Sequence, residues 1–273
     1  MHFLEQSNIL LAMGLTLFAG MSTGFGGLIV LLVNKTNTRL LSVSLGFSAG
    51  VMIYVSFVEL FFEAREMLIL KLGHNQGSLV VVGAFFSGIL LTALIDKLVP
   101  SYENPHESRS VERMQDVNKL DGNTKLLRTG IFTALIIIMH NFPEGMATFV
   151  STIQSPTLGV AIAIAVAIHN IPEGISVAIP VYYATGSRKK AFAWSFISGI
   201  GEPLGALLAY FILLPFLNEI VFGVLFATIA GIMIYISFDE LLPSAHEYGE
   251  HHLTIFGLIS GMFVMALSLL IIT

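Results

Sequence analysis

A chain of 273 residues, 55% hydrophobic and only 11% charged, with a mean hydropathy of +0.84, is too apolar for a water-soluble domain. A formal net charge of −5 leaves no basic surface for a nucleic acid, and the absence of cysteine excludes disulfides and thiolate metal ligands. Any bound metal has to be held by imidazole, carboxylate, amide or water.

Apolar runs of about 20 residues cross roughly 30 Å of hydrocarbon as a helix. Such runs recur at about 8–33, 40–64, 78–98, 128–151, 157–184, 191–214, 219–243 and 253–272. The reading is an all-α integral membrane protein, one polytopic domain over 1–273 with eight transmembrane helices and a long loop at 99–127. Met1 to Asn8 carry no Lys or Arg, and the first apolar run is too long for a signal-peptide core, so it is expected to stay as a helix.

Eleven of the 13 basic residues fall in three connections on one side: Lys35 and Arg39; Lys97, Arg109, Arg113, Lys119, Lys125 and Arg128; and Arg188, Lys189 and Lys190. Arg65 and Lys71 lie on the other. The positive-inside bias then places both termini outside and the 99–127 loop in the cytoplasm of a multi-pass cell-membrane protein.

In the second run, Ala49-Gly-Val-Met-Ile-Tyr-Val-Ser-Phe-Val-Glu-Leu60 matches Ala230-Gly-Ile-Met-Ile-Tyr-Ile-Ser-Phe-Asp-Glu-Leu241 of the seventh at nine of twelve positions. In the fourth run His140-Asn141-Phe142-Pro143-Glu144-Gly145 is echoed in the fifth by His169-Asn170-Ile171-Pro172-Glu173-Gly174. Each pair is separated by an odd number of crossings, so its members run antiparallel. That pattern marks the inverted repeats of secondary transporters, which hold substrate near the midplane. Helices 1–3 would mirror 6–8, with 4 and 5 as a central pair.

Ionisable groups at such depth cost about 2.5–3.5 kcal/mol each on insertion scales, and they usually mark a functional path. His140 and Glu144 are four residues apart and share a face, as do His169 and Glu173. Pro143 and Pro172 free the carbonyls of Met139 and Ile168, which is tolerated in a membrane only where neighbours, water or ions satisfy them. A packing histidine donating to a carbonyl would explain one copy but not two. Face to face, the copies offer two imidazoles and two carboxylates to one cation. Asn141 and Asn170 can serve a second, with Glu144 and Glu173 bridging. Glu202 in the sixth run, beside Pro203, is another buried carboxylate. Mixed nitrogen and oxygen donors suit Zn²⁺, Fe²⁺, Mn²⁺ or Co²⁺ better than Mg²⁺ or Ca²⁺.

These residues resemble the ZIP family of divalent metal transporters, and within it the bacterial zinc-uptake branch. The resemblance covers essentially the whole chain. It implies a binuclear centre with one metal on His140, Glu144, His169 and Glu173, and a second on Asn141, Glu144, Asn170, Glu173 and Glu202. It also implies an elevator-like or rocking motion, a homodimer as an assembly, and Zn²⁺ as cargo with Fe²⁺, Mn²⁺, Co²⁺ and Cd²⁺ as further candidates. No catalytic cofactor is expected. The 99–127 loop departs from the His-rich form common in the family, holding only His106.

Glu59 and Glu240 occupy equivalent repeat positions and read as relay carboxylates at opposite mouths, or as caps at the membrane boundary. Asp239 and His246, within the polar stretch that runs on to His251 and His252, could receive an exiting cation or simply be solvated. Trp194, Tyr182 and Tyr183 suit an interfacial belt. Methionines are read as filler in apolar helices, and Ala19-Gly20 and Ala230-Gly231 as surfaces for close packing. The favoured function is uptake of divalent transition metals by alternating access. The alternatives are an intramembrane metal-dependent hydrolase and a metal-gated channel or sensor. The hydrolase would need an activated water beside a general base.

Overall fold

Two backbone features punctuate an otherwise helical chain. Gly73 at φ 81°, ψ 164° and Gly186 at φ 63° are the positive-φ residues among those described, and each turns the chain between two long helices. Gly73 sits in a region open essentially to glycine alone, which is how one residue reverses the chain. The structure, a computed structural model, describes residues 6–32, 38–98, 119–216, 218–248 and 251–272.

α1 is Gln6–Leu32, α2 spans 38–72, α3 is His74–Leu98, α4 is Lys119–Gln154 and α5 is Pro156–Thr185. α6 spans 188–216, α7 spans 219–248, and α8 is His251–Ile272. Among the described residues there is no strand, and seven stretches are long and apolar enough to cross a membrane. They are Asn8–Ile29, Ser42–Leu72, His74–Lys97, Pro156–Ile179, Arg188–Phe216, Glu219–His246 and His251–Leu270.

Caps account for several ends. Ser155 accepts from the Leu158 N–H and has Pro156 behind it, while Ser187 caps α6 through Lys190, and Asn218 caps α7 through Ile220 and Val221. Three boundaries differ from expectation. α2 continues to Leu72, past the expected end at 64, because Arg65, Glu66 and Lys71 lie where a helix can leave hydrocarbon and stay helical. α4 begins at Lys119, within the segment read as loop, while residues 99–118, with His106, lie outside those described. The polar stretch around His246 is helical up to Tyr248, and α8 starts at His251.

α2 and α7 each contain a π-helical turn, Val55–Leu60 and Ser237–Leu241, and both fall on the repeated motif. At the first or second residue of each turn, a buried serine donates back to a methionine carbonyl four residues earlier: Ser56 to Met52 at 2.7 Å, and Ser237 to Met233 at 2.8 Å. Such back-bonding loosens a helix locally and suits an inserted residue.

Glycines sort the helices into two groups. α1, α4, α5 and α6 meet backbone to backbone. A Cβ on Gly26 would run into Ile171, one on Gly174 into Thr23, one on Gly145 into Glu202, and one on Gly201 into Ile138. In the second group, Gly46 and Gly50 of α2 abut Thr254 and Leu258 of α8, and Gly88 of α3 abuts Thr228 of α7. Small residues do this in membranes because close approach maximises dispersion where lipid supplies no hydrophobic drive. The main apolar core, with Phe149, Phe226, Met52 and Leu68 fully buried, runs between the groups.

Candidate metal centre

α4, α5 and α6 meet where the two hexapeptides and Glu202 lie. Both α4 and α5 continue as helices through Pro143 and Pro172. The glycine that ends each hexapeptide admits the next backbone: Gly145 that of α6 at Glu202, and Gly174 that of α1 at Thr23. Ser195 locks this junction by donating to the carbonyls of Thr23 at 2.8 Å and Gly174 at 3.0 Å. Its apolar surroundings made that role readable in principle, yet nothing in the motifs pointed to it.

Within the junction the structure brings together His169 and Glu144, Nε2 to Oε2 at 3.2 Å, both 1% exposed. Asn170 donates through Nδ2 to Glu202 Oε1 and to the Ala19 carbonyl at 3.0 Å. Asn141 donates to the Ser198 carbonyl at 3.3 Å. With the NH₂ groups so engaged, the amide oxygens of Asn141 and Asn170 are buried without a hydrogen-bond partner, as are Glu144 Oε1 and Glu202 Oε2. Glu173, in the second hexapeptide, is fully buried. His140 is on α4, four residues before Glu144, but its side chain lies outside those described. Among the described residues no three His, Asp or Glu side chains converge to hold an ion.

Orphaned buried oxygens are costly, about 1–3 kcal/mol each, and more when charged. A site that buries at least four of them beside an imidazole is built for something positive. Borderline nitrogen together with carboxylate and amide oxygen is a donor set for a divalent transition metal.

The four residues expected as relays or at the mouths divide. Glu59 lies in the π-helical turn of α2, partly buried. Glu240 is buried in the matching turn of α7, and Asp239 beside it accepts a hydrogen bond from Tyr235. His246 is exposed and stacks on His251, with ring centroids 4.8 Å apart and planes at 6°. None of these is part of the central junction. Ser48 of α2, outside both the hexapeptides and the Ala49–Leu60 repeat, reaches it and donates to the His169 carbonyl at 3.3 Å.

A family model described as ZIP Zinc transporter matches residues 7–126 and 102–269. A "Zinc transporter ZupT" of Chlorobium chlorochromatii is 58% identical, over 97% of this chain and 99% of its own length. One from Nitratidesulfovibrio vulgaris is 58% identical over 98% and 99%, and one from Oceanobacillus iheyensis 57% over 98% and 100%. Similarity of that depth over the full length settles the grouping: the chain belongs to the ZIP zinc transporter family.

Proposed function

We propose that the chain carries Zn²⁺, and with it related divalent transition metals, across the cell membrane into the cytoplasm by alternating access at the α4–α5–α6 junction. The observation that carries this is the His169–Glu144 pair set among buried, unpartnered oxygens of Asn141, Asn170, Glu144 and Glu202. Relatives named as zinc transporters match it from end to end. It is a transporter and not an enzyme. A hydrolase or a metal-gated sensor has no comparable support.

In this reading α4 is an eighth crossing, and the termini lie outside with the basic connections in the cytoplasm. One cation sits on His140, Glu144, His169 and Glu173, and a second on Asn141, Glu144, Asn170, Glu173 and Glu202. The matched π-turns and the paired Ser56 and Ser237 bonds support the inverted repeat, since a chance likeness of apolar sequence would not reproduce a helical irregularity at the same place. The two glycine-zipped groups are the bodies that move against each other. The cation exchanges its hydration shell for these oxygens and the His169 imidazole, and Glu144 and Glu173 neutralise its charge inside a low-dielectric site.

Uptake of labelled zinc into proteoliposomes tests this. Saturable uptake that His169→Ala and Glu173→Ala abolish is expected. Wild-type protein that binds zinc but supports no flux would overturn the transport reading, and non-saturating conductance would replace the carrier with a channel.

A further inference from the structure

α4 carries side-chain oxygens that the central site does not use. Beyond Glu144, Thr148, Ser151 and Gln154 follow at i+4, i+7 and i+10, which keeps them on one side of the helix. Thr148 Oγ1, Ser151 Oγ and Gln154 Oε1 are buried with no hydrogen-bond partner, and Thr148 and Ser151 are 0% exposed. Serine and threonine in a helix ordinarily relieve this by donating to the preceding turn, as Thr152 does to the Thr148 carbonyl at 2.7 Å. Two successive hydroxyls that do not are expensive as packing. Other sides of α4 are taken up: Gly145 and Phe149 meet Glu202 and Tyr210 of α6, and Thr152 packs on Gly159 of α5. At the far end Gln154 crosses to α2, donating to Glu63 Oε1 at 3.1 Å with the Met67 sulfur 4.0 Å away. Glu59 lies about one helical turn before Glu63 on α2.

We propose that Thr148, Ser151 and Gln154 line the outer half of the cation path into the central site, and that the Gln154–Glu63 contact is its latch. A divalent cation arriving from outside takes the Glu63 carboxylate, releases Gln154, and is passed along amide and hydroxyl oxygens to Glu144. This rests on the transport reading and orientation above.

The chain has no cysteine, so single thiols can be read without background. Thr148→Cys, Ser151→Cys and Gln154→Cys, with Val150→Cys and Ile153→Cys, as buried as Thr148 and Ser151, as controls, are placed in proteoliposomes and exposed to a charged, membrane-impermeant methanethiosulfonate from the extracellular side. Reaction at 148, 151 and 154 but not at 150 or 153 is expected. Zinc at about ten times its half-saturating level should slow that reaction roughly tenfold. No reaction at 148 and 151, or equal reaction at the controls, overturns the proposal. Ser151→Val gives a second measurement: zinc uptake falls roughly tenfold while equilibrium zinc binding to the solubilised protein is unchanged. Unaltered uptake, or binding lost together with uptake, overturns it. Failure of the transport reading itself would show separately, as wild-type protein without flux.

Discussion

The Ser48 hydroxyl of α2 donates to the His169 carbonyl of α5 at 3.3 Å, so a helix of one group hydrogen-bonds the backbone of the second hexapeptide in the other. Pro172 has no N–H for the carbonyl of Ile168, one residue before, which leaves that stretch of α5 short of donors. Ser48 supplies one at the boundary between the two glycine-zipped groups.

Ser48→Ala is therefore expected to weaken the described conformer by about 1 kcal/mol, roughly a fivefold change in its population. Spin labels on Gln76→Cys and Thr157→Cys, both exposed and on different groups, would read it as a shift between two distance populations. An unchanged distribution would mean that this bond does not distinguish the conformers.

Gly145→Ala drives a methyl group into the backbone of Glu202, which cannot yield as a flexible side chain would. The expected cost is about 1–3 kcal/mol, with zinc uptake lost because α6 is pushed off the junction. Gly14→Ala, where nothing lies within 4 Å of the new atom, should leave both melting temperature and uptake near wild type. Equal melting temperatures for the two variants would refute the close-contact account.

Much of this was legible in sequence because lipid makes polar residues conspicuous. His169, Asn170 and Glu173 stand out from an apolar run, and they do gather with Glu144, Asn141 and Glu202. Small polar residues were harder to read. Ser48, Ser195 and Ser151 are tolerated in any membrane helix, so only their partners, or the lack of them, give them meaning. The π-turns were invisible because one inserted residue does not alter the length of an apolar run. Helix ends were misjudged at Leu72 and Lys119 because a helix does not have to stop where its hydrocarbon does.

Asn170→Asp replaces an amide that donates to Glu202 by a second carboxylate against it. Like charges at contact destabilise the metal-free protein, and a bound divalent cation relieves them. The apo melting temperature should fall, and the increase on adding zinc should exceed that of wild type. A lower apo melting temperature with no larger zinc-dependent increase would argue that the oxygen at position 170 is not a ligand.

The π-turn of α7 makes a register prediction. A π-turn holds one residue more than an α-helical turn, so deleting Phe238, whose side chain is 56% exposed within Ser237–Leu241, closes the turn and leaves the helix on either side facing as before. Deleting Val224, in the regular part of α7, instead rotates one flank by about 100° against the other. The Phe238 deletion should therefore yield folded protein that still binds zinc at the α4–α5–α6 junction. Its uptake is expected to be slowed, because the deletion shifts Asp239 and Glu240, carboxylates proposed to lie on the cation path. The Val224 deletion should fail to fold. Size-exclusion profiles and equilibrium zinc binding on both variants decide it: equal loss of folded protein would show that the π-turn is not a removable insertion, and normal uptake by the Phe238 deletion would remove Asp239 and Glu240 from the path.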